Sequence, residues 1–124
     1  MVHREDAEQR ALVQWADHVL MPGAIGGTLA QYLFAIPNGG ARGKIEAARM
    51  IGLGVRAGVA DLFLSFPVGM AHGLYIEMKA PKPYRSRVTD KQADFLNRME
   101  AVGYRCFICY GWDEARHAIE EYLG

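Results

Sequence analysis

Asp61 precedes Glu77-Met78-Lys79 by sixteen residues, and the two stretches read as neighbouring strands. Asp61 to Phe66 alternates, as does Leu74 to Lys79, and Pro67 to Gly73 between them carries the turn residues of a hairpin. Pairing the strands antiparallel around the middle of that loop sets Asp61 opposite Glu77, within one or two residues. Opposed side chains on one face lie about 5 Å apart at Cβ, a separation at which two carboxylates can grip one divalent cation. Oxygen donors suit Mg²⁺ or Mn²⁺, hard ions that keep several waters. The backbone carbonyl of Met78, on the strand edge, is a further candidate ligand. Lys79 follows Glu77 on the same face, roughly 7 Å along the strand. From there its ammonium can orient an attacking water or stabilise a pentavalent phosphorane, so a phosphodiester is the natural substrate. An Asp, a Glu and a Lys on a solvated hairpin face are equally an ordinary surface ion-pair cluster, and these three residues alone leave both readings open.

Such a trio needs strands held in register by helices. Ala7, Ala11, Leu12, Trp15 and Val19 form a helical stripe that predicts a first helix from about Glu5 to Leu20. Met21 to Thr28 is a Gly-rich connection, and Gln31 to Ile36 an apolar strand ended by Pro37-Asn38-Gly39-Gly40. A second helix from about Ile45 to Leu53 is closed by Gly52 and Gly54. Beyond the hairpin, Lys82 to Arg87 is a basic, Pro-broken loop. Thr89-Asp90-Lys91-Gln92 fits a capping box, with Thr89 as N-cap and Gln92 at the third helical position. That helix continues through Phe95, Leu96 and Met99 and stops near Gly103; a last strand, Tyr104 to Tyr110, leads into a helix beginning near Asp113. The order α-β-α-β-β-α-β-α predicts an α/β fold, a mixed sheet of about four strands flanked by helices.

The 124 residues suit one domain, 1–124, with 51% apolar residues to fill its core. No apolar run is long enough to span a bilayer, and Met1 to Asp6 lacks the apolar stretch of a signal peptide; the expectation is a cytoplasmic protein with no membrane partner. Cys106 and Cys109 have no second pair with which to build a zinc site. They lie three apart in a strand pattern, on opposite faces, and read as reduced thiols. His3, His18, His72 and His117 show no ligand spacing. Net charge is zero, yet from Arg42 to Lys91 nine basic residues stand against four acids, so the rest of the chain is acidic by the same margin. A basic centre containing the acid pair suits a polyanionic substrate, and also suits plain solvated faces.

Four stretches in order carry a resemblance: Ile36 to Arg42, Gly54 to Leu62, Leu74 to Ala80, and Thr89 to Gln92, with Gly103 to Arg105 and Trp112 to Ala115 following. With these the chain resembles the PD-(D/E)XK nucleases, whose core is restriction-endonuclease-like, and more closely the small stand-alone VRR-NUC proteins of phages and bacteria. One departure is Ala60, where the family usually has Pro before the acid; Pro would only stiffen the backbone there.

The resemblance implies a Mg²⁺- or Mn²⁺-dependent endonuclease in which Asp61 and Glu77 bind the metal and Lys79 serves catalysis. Gln92 matches a glutamine near the family's site, while its capping role stands beside that reading. A first-helix acid also belongs to the family's site; Glu8, directly before Gln9, fits the pattern better than Glu5, and either can instead be a helix N-terminal acid. Asn38, Gly39, Gly40, Arg42 and Lys44 form a segment able to approach phosphate, or an ordinary Pro-Asn-Gly turn. Lys82, Tyr84, Arg85 and Arg87 read as a DNA-contacting loop with one stacking aromatic. Small members resemble Holliday-junction resolvases, so the resemblance further implies a homodimer on branched DNA. A nickase, a nuclease subunit of a phage replication or packaging complex, and a non-catalytic nucleic-acid-binding module are the alternatives.

Overall fold

The computed structural model describes residues 4–37, 43–84 and 86–124. Four strands make one mixed sheet, β1 (Leu33–Ala35), β2 (Leu62–Leu64), β3 (Leu74–Lys79) and β4 (Arg105–Tyr110), side by side in that order. β1 and β3 both run antiparallel to β2, and β4 runs parallel to β3. The helices are α1 (Arg4–Ala16), α2 (Lys44–Gly52), α3 (Asp90–Ala101) and α4 (Trp112–Leu123), so the expected element order is observed. α3 is the crossover that a parallel β3–β4 pair requires. Among the described residues, no helix is long and apolar enough to cross a membrane.

The alternation of β3 divides the molecule into layers. Leu74, Ile76 and Met78 enter the main core with Leu12 and Ala16 of α1 and with Ala115, Ile119 and Tyr122 of α4. Tyr75 points to the other face, where Phe95 and Leu96 of α3 form a second cluster with Ala60. The sheet is therefore covered by α1 and α4 on one side and by α3 on the other. Leu12, Leu62, Leu64, Leu74, Ile76, Met78 and Ile119 are fully buried, each contributing about 1.5–3 kcal/mol of transfer free energy. Cys109 lies in the main core and Cys106 against the α3 cluster, on opposite faces as expected. Both are free thiols, and burial pushes each up to about 12.

Three boundaries differ from the sequence expectation. α1 ends at Ala16 rather than Leu20, because His18 and Val19 close tighter bonds to Trp15 and Ala16 and Leu20 then bridges Thr28. The first strand starts only at Leu33, since Leu29–Gln31 winds into a 3₁₀ turn whose Gln31 side chain accepts the Thr28 N–H. β2 is confined to Leu62–Leu64, matching the three residues of β1, and the Phe66 carbonyl instead accepts the Tyr122 hydroxyl at 2.6 Å.

Two details fix the ends of this framework. Gly58 has φ +87°, and a Cβ there would meet the Lys91 carbonyl oxygen at 2.7 Å. Only glycine lets the segment leading to Asp61 lie this close to the start of α3. β4 is an outer strand: Arg105 and Gly111 bond toward β3, at Gly73 and Lys79, so alternation turns Cys106 and Tyr110 outward. Their N–H groups donate to Glu100 of α3 at 3.0 Å and Glu114 of α4 at 2.9 Å.

Candidate active site

The β2–β3 register runs from Leu64↔Leu74 to Leu62↔Ile76, so the next pair is Asp61 with Glu77. Asp61 stands just where β2 begins. Its carbonyl accepts the Ile36 N–H at 2.8 Å and its Oδ2 accepts the Met78 N–H at 2.7 Å, so backbone and side chain are both fixed. The two carboxyls also hydrogen-bond each other. Glu77 is 2% exposed and Lys79 4%, which removes the reading of a solvated surface cluster.

Burial first, and then the charge and hydrogen bond of Asp61, push Glu77 up to about 8. Asp61 is raised as well, chiefly by burial, although the Met78 N–H opposes this. Two carboxyls this close inside a low-dielectric site do not both ionise readily. Near neutrality the pair therefore retains a proton, and it behaves as one titrating unit.

Lys79 and Gln92 complete the arrangement. The Lys79 ammonium lies 3.7 Å from Glu77 Oε2, donates to Gln92 Oε1 at 2.8 Å and donates to the Arg87 carbonyl at 3.1 Å. Gln92 Nε2 donates to Glu77 Oε2 at 3.1 Å. The same Gln92 closes the capping box of α3: its Oε1 accepts the Thr89 N–H at 3.0 Å and its N–H donates to Thr89 Oγ1 at 3.2 Å. The capping and site positions foreseen as alternatives for Gln92 are thus occupied together. The amide orientation is forced, because an ammonium only donates and must meet the oxygen.

The first-helix acids sort differently from the sequence preference. Glu8 Oε1 accepts the Trp112 N–H at 2.8 Å, which engages it at the first turn of α4. Glu5 is the acid whose charge reaches both Asp61 and Glu77. Glu5 also accepts a hydrogen bond from Ser86 Oγ. Ser86 was not foreseen; nothing in its spacing separates it from its basic neighbours, and only the folded loop brings it to α1.

Of the phosphate-contact candidates, Lys44 is the first residue of α2 and is exposed, and Lys82 and Arg87 are exposed beside the site. Tyr84 is exposed too, but the Arg4 guanidinium covers one face of its ring at 3.5 Å, so that face is not open for stacking. Asn38, Gly39, Gly40, Arg42 and Arg85 lie outside the described residues. The Met78 carbonyl follows from the pairing: Lys79 bonds to Gly111 across the β4 edge, so alternation turns Met78 toward β2, the side of Asp61.

The donor chemistry fits a hard divalent cation. A buried carboxyl and a half-buried one, whose repulsion is relieved by holding a proton, offer a cation the same relief with more charge. Among the described residues no group of three or more His, Cys, Asp or Glu could enclose a metal unaided. Two carboxylates and a carbonyl, with water and substrate oxygens completing the shell, is the way Mg²⁺ is commonly held.

Residues 4–113 match the family described as VRR-NUC domain. A solved structure described as a VRR_NUC domain protein superposes with a TM-score of 0.80 at 27% identity, covering 98% of this chain and 89% of that one. Among curated proteins none matches.

Proposed function

The chain belongs to the VRR-NUC family of PD-(D/E)XK nucleases, and from that premise we propose that it is a Mg²⁺- or Mn²⁺-dependent DNA endonuclease acting as a homodimer on branched DNA. The observation that carries the reading is the buried Glu77 carboxyl paired with half-buried Asp61, with the buried Lys79 ammonium 3.7 Å from Glu77. A binding module has no use for a buried carboxyl held against a second, half-buried one, a costly arrangement unless a cation or proton offsets it.

Asp61, Glu77 and the Met78 carbonyl would hold the ion, which when bound lowers the pKa of the attacking water and neutralises charge on the scissile phosphate. Lys79 brings fixed positive charge to the pentavalent phosphorane. Its ammonium is already anchored by Gln92 and the Arg87 carbonyl, so little reorganisation is needed as charge develops. Glu5 or Glu8 supplies the first-helix acid of the family's site. Lys44, Lys82 and Arg87, with Asn38, Gly39, Gly40, Arg42 and Arg85, contact the phosphate backbone, and the uncovered face of Tyr84 takes a base. Selectivity in this reading comes from DNA shape, and a two-fold dimer presents two sites to two strands. We place its work in the cytoplasm of a bacterial or phage-infected cell, in keeping with the small stand-alone proteins the chain resembles.

The test has two arms. Asp61→Ala and Glu77→Ala abolish cleavage while DNA binding is largely kept; cutting by either variant in Mg²⁺ would overturn the metal assignment. Wild-type protein with Mn²⁺ is then compared on four-way junction, flap, single-stranded and linear duplex DNA, and equal cutting of linear duplex sinks the branched preference.

A further inference from the structure

The loop between β3 and α3 is tied to α1 and to the site at once. Arg4 lies over the Tyr84 ring at 3.5 Å, the Ser86 hydroxyl donates to Glu5 Oε2, and the Arg87 carbonyl accepts from Lys79 at 3.1 Å. The first two contacts hold the first turn of α1, and the third reaches the ammonium beside Glu77. Ser86 is half-buried between them. Glu5 completes no three-carboxylate cage with Asp61 and Glu77, yet its charge acts on both. A carboxylate in that position would act on a bound cation through its field, and its effect would depend on where it is held. A glutamate on the first turn of a helix otherwise has several rotamers open to solvent, and among the described residues the side-chain hydroxyl that holds this one is that of Ser86.

We propose that Ser86 is a positioning residue that sets the Glu5 carboxylate against the Asp61–Glu77 pair and so strengthens divalent-cation binding there. The inference rests on the metal-dependent reading above. Groups that orient acids around a bound metal typically change affinity 10- to 100-fold. An outer carboxylate acting by its field belongs at the lower end.

The test is Mn²⁺ titration by calorimetry on wild type, Ser86→Ala, Ser86→Thr, Glu5→Gln, the double variant Glu5→Gln/Ser86→Ala, and Asp61→Ala. Ser86→Ala weakens Mn²⁺ binding on the order of 10-fold, and Ser86→Thr, which keeps the hydroxyl, stays near wild type. In the Glu5→Gln background Ser86→Ala has no further effect, because the charge being positioned is gone. Cleavage follows the same pattern: Ser86→Ala lowers kcat at limiting Mn²⁺, regains it at saturating Mn²⁺, and leaves KM for DNA unchanged. Unaltered affinity in Ser86→Ala, or a loss that persists in full without the Glu5 charge, overturns the role of Ser86 while leaving the metal reading intact. A wild type that binds no Mn²⁺, or an Asp61→Ala variant that binds it equally well, overturns the metal reading and this inference with it.

Discussion

Glu77 titrates near 8 in the fold against an ordinary 4.5, and burial together with Asp61 is the cause. Between those values the folded chain holds a proton that the unfolded chain has released. Stability then falls as pH rises through this window, by up to about 1.4 kcal/mol per unit for one such group. Asp61, also raised, acts in the same direction. Chemical denaturation in chelator should show stability dropping from pH 5 to pH 8, and Glu77→Gln should flatten that slope. Adding Mn²⁺ should recover stability most at the alkaline end, where no proton is left to compete with it. The thiols give a second residue-scale expectation: with both raised to about 12 by burial, neither Cys106 nor Cys109 should react with a thiol reagent at pH 8 until the protein is unfolded.

Elements set how well those residues are placed. Gly58 lies against the backbone of Lys91 at a φ of +87°. Gly58→Ala should cost about 1–3 kcal/mol from the strained backbone alone, read as a lowered denaturation midpoint, and should loosen Asp61 relative to Gln92. The outer edge of β4 makes a different prediction. Glu100 and Glu114 occupy the N–H groups of Cys106 and Tyr110, which are the groups a foreign strand would need. Replacing both by Ala should leave the fold intact while raising association on warming, followed by light scattering. Much at this scale was legible in the sequence: the hairpin from its alternation and turn residues, α3 from its Thr89-to-Gln92 cap, and Asp61 opposite Glu77 from counting around the loop. The misread stretches were those where tertiary partners overrule local pattern. Leu20 continues the helical stripe of α1 but is pulled into a bridge with Thr28, and the contact of Glu8 with the Trp112 N–H of α4, remote in sequence, was likewise not legible. No periodicity encodes either partnership.

At the scale of the molecule, a basic centre flanked by acidic segments gives zero net charge, so DNA affinity should come from local phosphate contacts. Binding to a four-way junction should weaken log-linearly with salt, and Lys82→Ala or Arg87→Ala should each reduce the slope by about one. Paired incision requires two copies, so light scattering at micromolar concentration should return twice the chain mass, and a monomer counts strongly against it. One bond network sets a limit on how this sequence can drift. Gln92 caps α3 and braces Lys79 and Glu77 with the same amide. Glutamate is the commoner partner of Thr in a capping box, and for the helix alone the exchange would pass unnoticed. Beside Glu77 it removes a donor and adds a third carboxyl, so Gln92→Glu should keep its helical content and lose its cleavage. A residue interchangeable for folding is thereby held to one identity by chemistry, and the two constraints can be told apart by a single oxygen.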